Sequence, residues 1–328
     1  MKKIKVIVVG AGNMASKVHY PSLNDISNVE ICGILDINQE RLDYIKNLFG
    51  YNKNILYKCD NLTHYQKIIN KLKPDAVYVI GQPNIMFDLW VWVLKNKYNL
   101  YIEKPMGLSL HQAKILKYLA EKNDVITQVS HQRRTVPLLL KLKSDLEKKS
   151  RIIHGCVEFF KFEPEPMLMA RDHMFDDFTH SVDTARWICG GNVIKISSFC
   201  KSIETPDINW ITCNLHFDNG SNCIITNSWV AGRRVFRVQM HSIGGYTDAE
   251  VEGDGYLYLD NDYKGIKLNT KVIAGSDELY IYGGFLNKHK EFINAITLND
   301  KFIVSSPFSD TFKTIEICEK ILASSILS

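Results

Sequence analysis

Ile4-Lys5-Val6-Ile7-Val8-Val9-Gly10-Ala11-Gly12-Asn13-Met14-Ala15 decides the fold. An apolar run of strand length enters a glycine turn, and Ser16 to Leu23 beyond it reads as a helix. The glycines permit a tight turn and let backbone N–H groups approach a pyrophosphate. That anion would then sit on a helix N-terminus, whose dipole favours negative charge. Ala15 stands where a third glycine is usual, a position constrained only by helix–strand packing. Taken alone, such a turn is also an ordinary strand-to-helix connection.

Outward from this turn, apolar strands alternate with amphipathic helices. Lys5 to Val9, Val29 to Leu35, Ala76 to Ile80, Leu100 to Ile102 and Val125 to Val129 read as strands. Gln39 to Leu48, Thr63 to Leu72, Phe87 to Lys95 and Ser109 to Lys122 read as helices between them. This alternation predicts a parallel, doubly wound α/β sheet. Asp36 ends the second strand, where a carboxylate accepts hydrogen bonds from the adenosine ribose and repels a 2′-phosphate. NAD is therefore expected in preference to NADP, although Arg41 lies close by. The alternative is that Asp36 only caps the following helix.

After Ser130 the pattern changes. A helix over Val136 to Lys148 precedes strands at Ile152 to Lys161, Val193 to Ile203, Trp210 to Phe217, Cys223 to Val230 and Arg234 to Ser242. Asp218-Asn219-Gly220 fits a hairpin turn, so these strands pair mostly antiparallel. Helices over Leu286 to Thr297 and Ser309 to Ser325 close the chain. The expected domains are 1–128, which binds the cofactor, and 129–328, an α+β domain with a large, mostly antiparallel open sheet.

Composition excludes several classes. Of the 328 residues, 45% are hydrophobic and 23% charged, as in soluble globular proteins, and no apolar run is long enough to span a bilayer. The net charge of +4 is spread without a dense basic block, so no nucleic-acid or membrane partner is expected. The apolar N-terminal stretch is too short for a signal peptide and runs straight into the glycine turn. Eight cysteines without Cys-x-x-Cys or zinc spacing point to reduced thiols and a cytoplasmic protein.

Two further segments carry chemistry. Glu103-Lys104-Pro105 closes an apolar strand and places a lysine at the rim of a parallel sheet, where ligands bind. Asp176-Asp177-Phe178-Thr179-His180-Ser181-Val182-Asp183 would, as a helix, put Asp176, His180 and Asp183 on one face. A histidine with a neighbouring carboxylate suits proton transfer near neutral pH, but on this segment alone a locally paired histidine at a helix start is the better fit. His173, Asp176 and His180 share that face, but seven residues of helix rise about 10 Å. Metal ligands must converge to about 2 Å of one ion, so no metal is assigned.

With these segments the chain resembles the Gfo/Idh/MocA oxidoreductases. The carriers are Val9 to Ala15, Pro74-Asp75-Ala76-Val77-Tyr78-Val79-Ile80 leading to Gln82-Pro83-Asn84, and Glu103-Lys104-Pro105-Met106-Gly107. Arg133-Arg134 with Pro137, Asp176 to Asp183, and Phe217-Asp218-Asn219-Gly220 add to them. The resemblance implies a Rossmann domain followed by an α/β domain whose open sheet often forms an oligomer interface. It implies cofactor contacts at Gly10, Gly12, Asn13, Met14, Asp36, Gln82, Asn84, Glu103 and Lys104. It makes Lys104 a contact of substrate and nicotinamide ribose, Asp176 a substrate ligand, and His180 the acid/base. The implied activity is hydride transfer between NAD and a secondary alcohol or ketone of a sugar, sugar nucleotide or inositol-like molecule. Reduction of an imine or other non-sugar double bond, and NAD binding by a regulator without turnover, are the alternatives.

The chain departs from the family in places. Gln82 replaces a threonine, Phe87 a histidine, and Phe178 a small residue, while the glycines usual before the catalytic aspartate are absent from Arg171 to Phe175. Asp177 competes with Asp176 as the partner of His180. Arg171, His173, Arg233 and Arg234 near a pocket mouth would suit an anionic substrate group, or be solvated surface. A single large sheet needs its second face covered, so a homodimer or homotetramer is expected.

Overall fold

Strand β1 (Ile4–Val9) is buried at every position but one, and runs at the centre of a six-stranded parallel sheet. The computed structural model describes residues 3–167 and 172–327. By contact the chain forms two units, Met1–Ser130 with Phe285–Phe312, and His131–Gly284 with Lys313–Ser328.

The first unit begins with β1, a single π-helical turn at Ala15–His19 and the short helix α1 (Tyr20–Asn24). There follow β2 (Val29–Asp36), α2 (Gln39–Phe49), β3 (Leu56–Lys58), α3 (Leu62–Leu72), β4 (Ala76–Val79) and α4 (Pro83–Lys95). β5 (Asn99–Ile102), α5 (Leu110–Asn123) and β6 (Thr127–Val129) complete the alternation. The strand order β3-β2-β1-β4-β5-β6 is parallel throughout and reverses between β1 and β4. In such sheets that reversal opens the crevice in which dinucleotides bind.

Continuous apolar runs explain the centre of the sheet, since β4 is buried at all four positions. Helix starts are set by side-chain caps. Asn38 accepts from the N–H groups of Glu40 and Arg41, Asn61 from His64, and Ser109 from Gln112. Asn38, not Asp36, therefore caps α2. Strand β3 was not foreseen, because three half-exposed or exposed residues at a sheet edge carry too little periodicity.

The second unit contains α6 (Pro137–Glu147), β7 (His154–Phe162), α7 (Phe178–Cys189), β8 (Val193–Lys201) and β9 (Trp210–Phe217). It continues with β10 (Asn222–Ser228), β11 (Val230–Ser242), β12 (Gly245–Glu250), β13 (Asp254–Leu259), β14 (Ile266–Asn269), α8 (Thr270–Ala274) and α9 (Leu279–Tyr282). The order is β14-β13-β12-β11-β7-β10-β9-β8, antiparallel except for β7 with β10. Asp218 to Gly220 does close the β9–β10 hairpin, with Gly220 at φ 82°. Strands β12 to β14 were not foreseen; their polar and glycine-rich sequences mask the alternation.

Register assigns the faces of this sheet. Val157, Ile225, Cys213, Val238 and Ala249 lie in one laterally paired row and are buried. The adjacent row, Phe199, Thr212, Thr226, Glu158 and Arg237, points the other way and is half-buried or exposed. α7 packs against β7 and β10. The contact division adds a second crossing to the boundary expected near 128: α10 (Phe285–Leu298) belongs to the first unit, and α11 (Phe308–Leu327) begins there and continues into the second.

Candidate active site

In the first unit the glycine turn has the shape its residues predict. Gly10 sits at φ 110°, and a Cβ there would lie 2.1 Å from the Ile80 carbonyl oxygen, so only glycine fits. Nothing lies within 4 Å of a Cβ position at Gly12, which leaves that backbone open to a bound group. Ala15 is buried, as a helix–strand packing position should be. A cavity of about 340 Å³ opens here, lined by Ala11, Gly12, Asn13, Ser16, Arg41 and Tyr44 among others.

Asp36 reaches into this turn. Its Oδ2 accepts from the Ala11 N–H at 2.6 Å and its Oδ1 from the Asn38 N–H at 2.8 Å. Each carboxylate oxygen has a second lone pair for a ribose hydroxyl. Met14 is partly exposed at the first helical turn, Gln82 precedes Pro83 at the start of α4, and Asn84 lies in its first turn. A glycine that a Cβ would drive into a carbonyl, an open backbone beside a cavity, and a carboxylate at the end of β2 fit a dinucleotide.

At the end of β5 the Lys104–Pro105 peptide is cis. Lys104 is half-buried, and Glu103 beside it is held by His19, whose Nε2 lies 2.8 Å from Oε1. Burial alone would raise the Glu103 carboxyl. The hydrogen bond and charge of His19, the Ser130 hydroxyl and the Lys104 charge outweigh it and hold the group below the usual carboxylate value. His19 Nδ1 in turn lies 2.9 Å from Nε2 of His289 on α10. Neither histidine was singled out from the sequence; the pair is 270 positions apart.

In the second unit α7 begins at Phe178, so Asp176 and Asp177 belong to the turn before it. The expected helical face therefore holds only for His180 and Asp183. Asp183 forms a buried ion pair with Arg134. Its carboxylate receives Arg134 Nε at 2.7 Å and Nη2 at 2.6 Å, with the Thr314 hydroxyl at 3.2 Å. Burial pushes this carboxyl up, but Arg134, His131 and Arg186 hold it well below its ordinary value. The His131 ring packs edge-on to His180 with centroids 5.8 Å apart, and its Nδ1 lies 4.0 Å from Asp183. His131 is thus a neighbour of His180 that sequence spacing did not reveal.

Asp177 is buried and pairs with Lys161, whereas Asp176 is half-buried, its carbonyl accepting from the Thr179 hydroxyl at 2.6 Å. Phe175 and Phe178 are fully buried, so these bulky residues fill the core. His173 is also buried, stacked on Trp229 with centroids 4.8 Å apart, not at a pocket mouth. Arg233 is exposed and pairs with Glu250 at 2.6 Å; Arg234 pairs with Glu252 at 3.4 Å. Arg171 lies outside the described residues. Lys104 belongs to the first unit, and Asp176, His180 and Arg233 to the second.

The parallel sheet and its glycine turn define a dinucleotide-binding protein, and comparison with known proteins specifies it. The model described as "Oxidoreductase family, NAD-binding Rossmann fold" matches residues 4–131, and that of the "GFO/IDH/MocA C-terminal domain" matches 165–246. The chain belongs to the Gfo/Idh/MocA family of NAD(P)-dependent oxidoreductases, with NAD as the cofactor of its first domain. It is 25% identical to a myo-inositol 2-dehydrogenase of Thermotoga maritima over 326 residues, covering 92% of this chain and 91% of that protein. It is 24% identical to the oxidoreductase YrbE of Bacillus subtilis over 69% of this chain and 67% of the other. A solved dehydrogenase from Chromobacterium violaceum shares the fold with a TM-score of 0.87 at 17% identity, covering 100% of this chain and 96% of that one. No described helix is long and apolar enough to cross a membrane.

Proposed function

We propose that the protein is a dehydrogenase that moves hydride between NAD and a secondary alcohol or ketone carbon of a sugar, sugar nucleotide or inositol-like molecule. The observation that carries this reading is the buried His180 on α7, packed edge-on to His131. Bound NAD supplies the hydride acceptor at its nicotinamide ring. The glycine turn would hold the pyrophosphate and Asp36 the ribose.

In this reading His180 takes the hydroxyl proton as hydride leaves the same carbon, and returns it when a ketone is reduced. Lys104 stabilises alkoxide character on the substrate oxygen, with Glu103 as its ionised neighbour. Asp176 binds a substrate hydroxyl. An anionic substrate group would have to draw Arg233 away from Glu250. The substrate class follows the polyol ring named for the Thermotoga relative. A second copy of the chain would cover the exposed face of the eight-stranded sheet. The free state of all eight cysteines supports a reducing compartment, the cytoplasm.

The test is turnover over a panel of sugars, sugar nucleotides, inositols and imines with either cofactor in either redox state, followed by nicotinamide absorbance. NAD-linked oxidation of a secondary alcohol is expected. Reduction of imines alone, or tight NADH binding with no turnover on any compound, overturns the reading.

A further inference from the structure

We propose that His19 is a positioning residue for Lys104: it ties the helix that follows the glycine turn to the sheet rim by holding the carboxyl group of Glu103. The geometry lies entirely within the first unit. His19 ends the π-helical turn Ala15–His19, a local widening of the helix that often marks functional sites. The next residue, Tyr20, donates its hydroxyl to the Gly10 carbonyl at 2.9 Å, so this segment is fixed to the glycine turn as well. From there the His19 imidazole, fully buried, reaches Glu103 at 2.8 Å.

The direction of that hydrogen bond follows from charge. Glu103 is ionised and accepts only, so His19 Nε2 must carry the proton it shares. His19 Nδ1 faces His289 Nε2 at 2.9 Å, and His289 is held neutral by burial and by the His19 charge. The His289 ring is fixed in turn by stacking on Tyr101, with centroids 4.8 Å apart and planes 10° apart. The second histidine thus locks the ring orientation that presents Nε2–H to Glu103. The other ionisable groups facing this chain are Lys104, the buried hydroxyls of Tyr78 and Tyr101, and the Lys288–Glu291 pair on α10.

Without its donor the Glu103 carboxylate is no longer fixed in place beside Lys104, and the charge interaction between the two weakens. The inference rests on the reading of Lys104 as the lysine of the reaction, but its test does not use turnover. Carbon-labelled reductive methylation of the full-length protein lets NMR follow the titration of each lysine, and the Lys104→Arg variant identifies the Lys104 signal. His19→Leu and Glu103→Gln should each lower the Lys104 midpoint by about one pH unit. His19→Gln, which keeps an N–H donor, should retain most of the original value, and His19→Leu should add nothing to Glu103→Gln.

An unchanged Lys104 midpoint in His19→Leu overturns the proposal. So does a His19→Leu shift that persists in the Glu103→Gln background. NMR of the imidazole nitrogens in the unaltered protein gives a check that needs no variant to fold: His19 Nε2 should be protonated at neutral pH, and a bare Nε2 refutes the assignment. None of these outcomes depends on whether a sugar is oxidised.

Discussion

Asp36 carries two duties at once. Its oxygens already brace the glycine turn through Ala11 and the start of α2 through Asn38, and each keeps a lone pair for the ribose hydroxyls in the proposed reading. Replacing it by alanine should weaken NAD binding by about 1.5–3 kcal/mol, the scale of a hydrogen bond to a charged group. NADP should lose less, because the same substitution removes a repelling charge. Calorimetric titration of both cofactors measures the difference, and an equal loss would sink the NAD preference argued from this carboxylate. His180→Ala is expected to lower turnover by about 10²–10⁴-fold while leaving NADH affinity within error. A variant that kept full turnover would remove His180 from the chemistry. Both residues are proposed on local signals: a carboxylate at a strand end, a histidine in an acidic segment before and into a helix. His19 and His289 gave no such signal, since the contacts that run from His289 to His19 and from His19 to Glu103 are encoded by no local spacing.

Helix α7 shows how an element converts buried charge into a fixed orientation. All but one of its residues are buried, Asp183 and Arg186 included, and Arg134 closes on Asp183 through two hydrogen bonds. Removing one partner of a buried pair leaves the other charge uncompensated, so Asp183→Asn should cost about 3–5 kcal/mol of stability near neutral pH. The pH dependence follows from the depressed carboxyl. The contribution is fully present above the ordinary value of 3.8 and is lost as pH falls through the lower folded value. The stability gap between the original protein and Asp183→Asn, measured by chemical denaturation, should therefore narrow below about pH 4. A gap that stayed constant down to pH 2 would show that the pair does not set the acid limb. Sequence periodicity placed Asp183 on one face with Asp176 and His180. Its actual partner lies 49 residues earlier, which helical spacing has no means to register. Strands β3 and β12 to β14 escaped for a related reason, being too short or too polar for alternation to declare itself.

At the scale of the molecule, the order of pattern along the chain yielded both sheets, because burial on two faces writes continuous apolar strands and burial on one face writes alternation. It did not yield the return of α10 to the first unit, since an amphipathic stripe states that a helix is buried and not against which core. The same logic leaves one face of the eight-stranded sheet to be explained. Ile224 and Phe199 are 41% and 57% exposed on it, among half-buried Tyr246, Tyr256 and Tyr258 and the Arg237–Asp248 ion pair. Partly apolar surface of that extent is stable in water when a second copy covers it, and a sheet pairing face to face with its own twin gives a closed, isologous interface. Light scattering after size exclusion should report a dimer or tetramer at micromolar concentration. Ile224→Glu combined with Phe199→Asp should shift the protein toward the monomer without loss of secondary structure by circular dichroism. If the doubly substituted protein kept its assembly, the interface would lie on another surface; if the original chain ran as a monomer, the exposed face would need a different occupant.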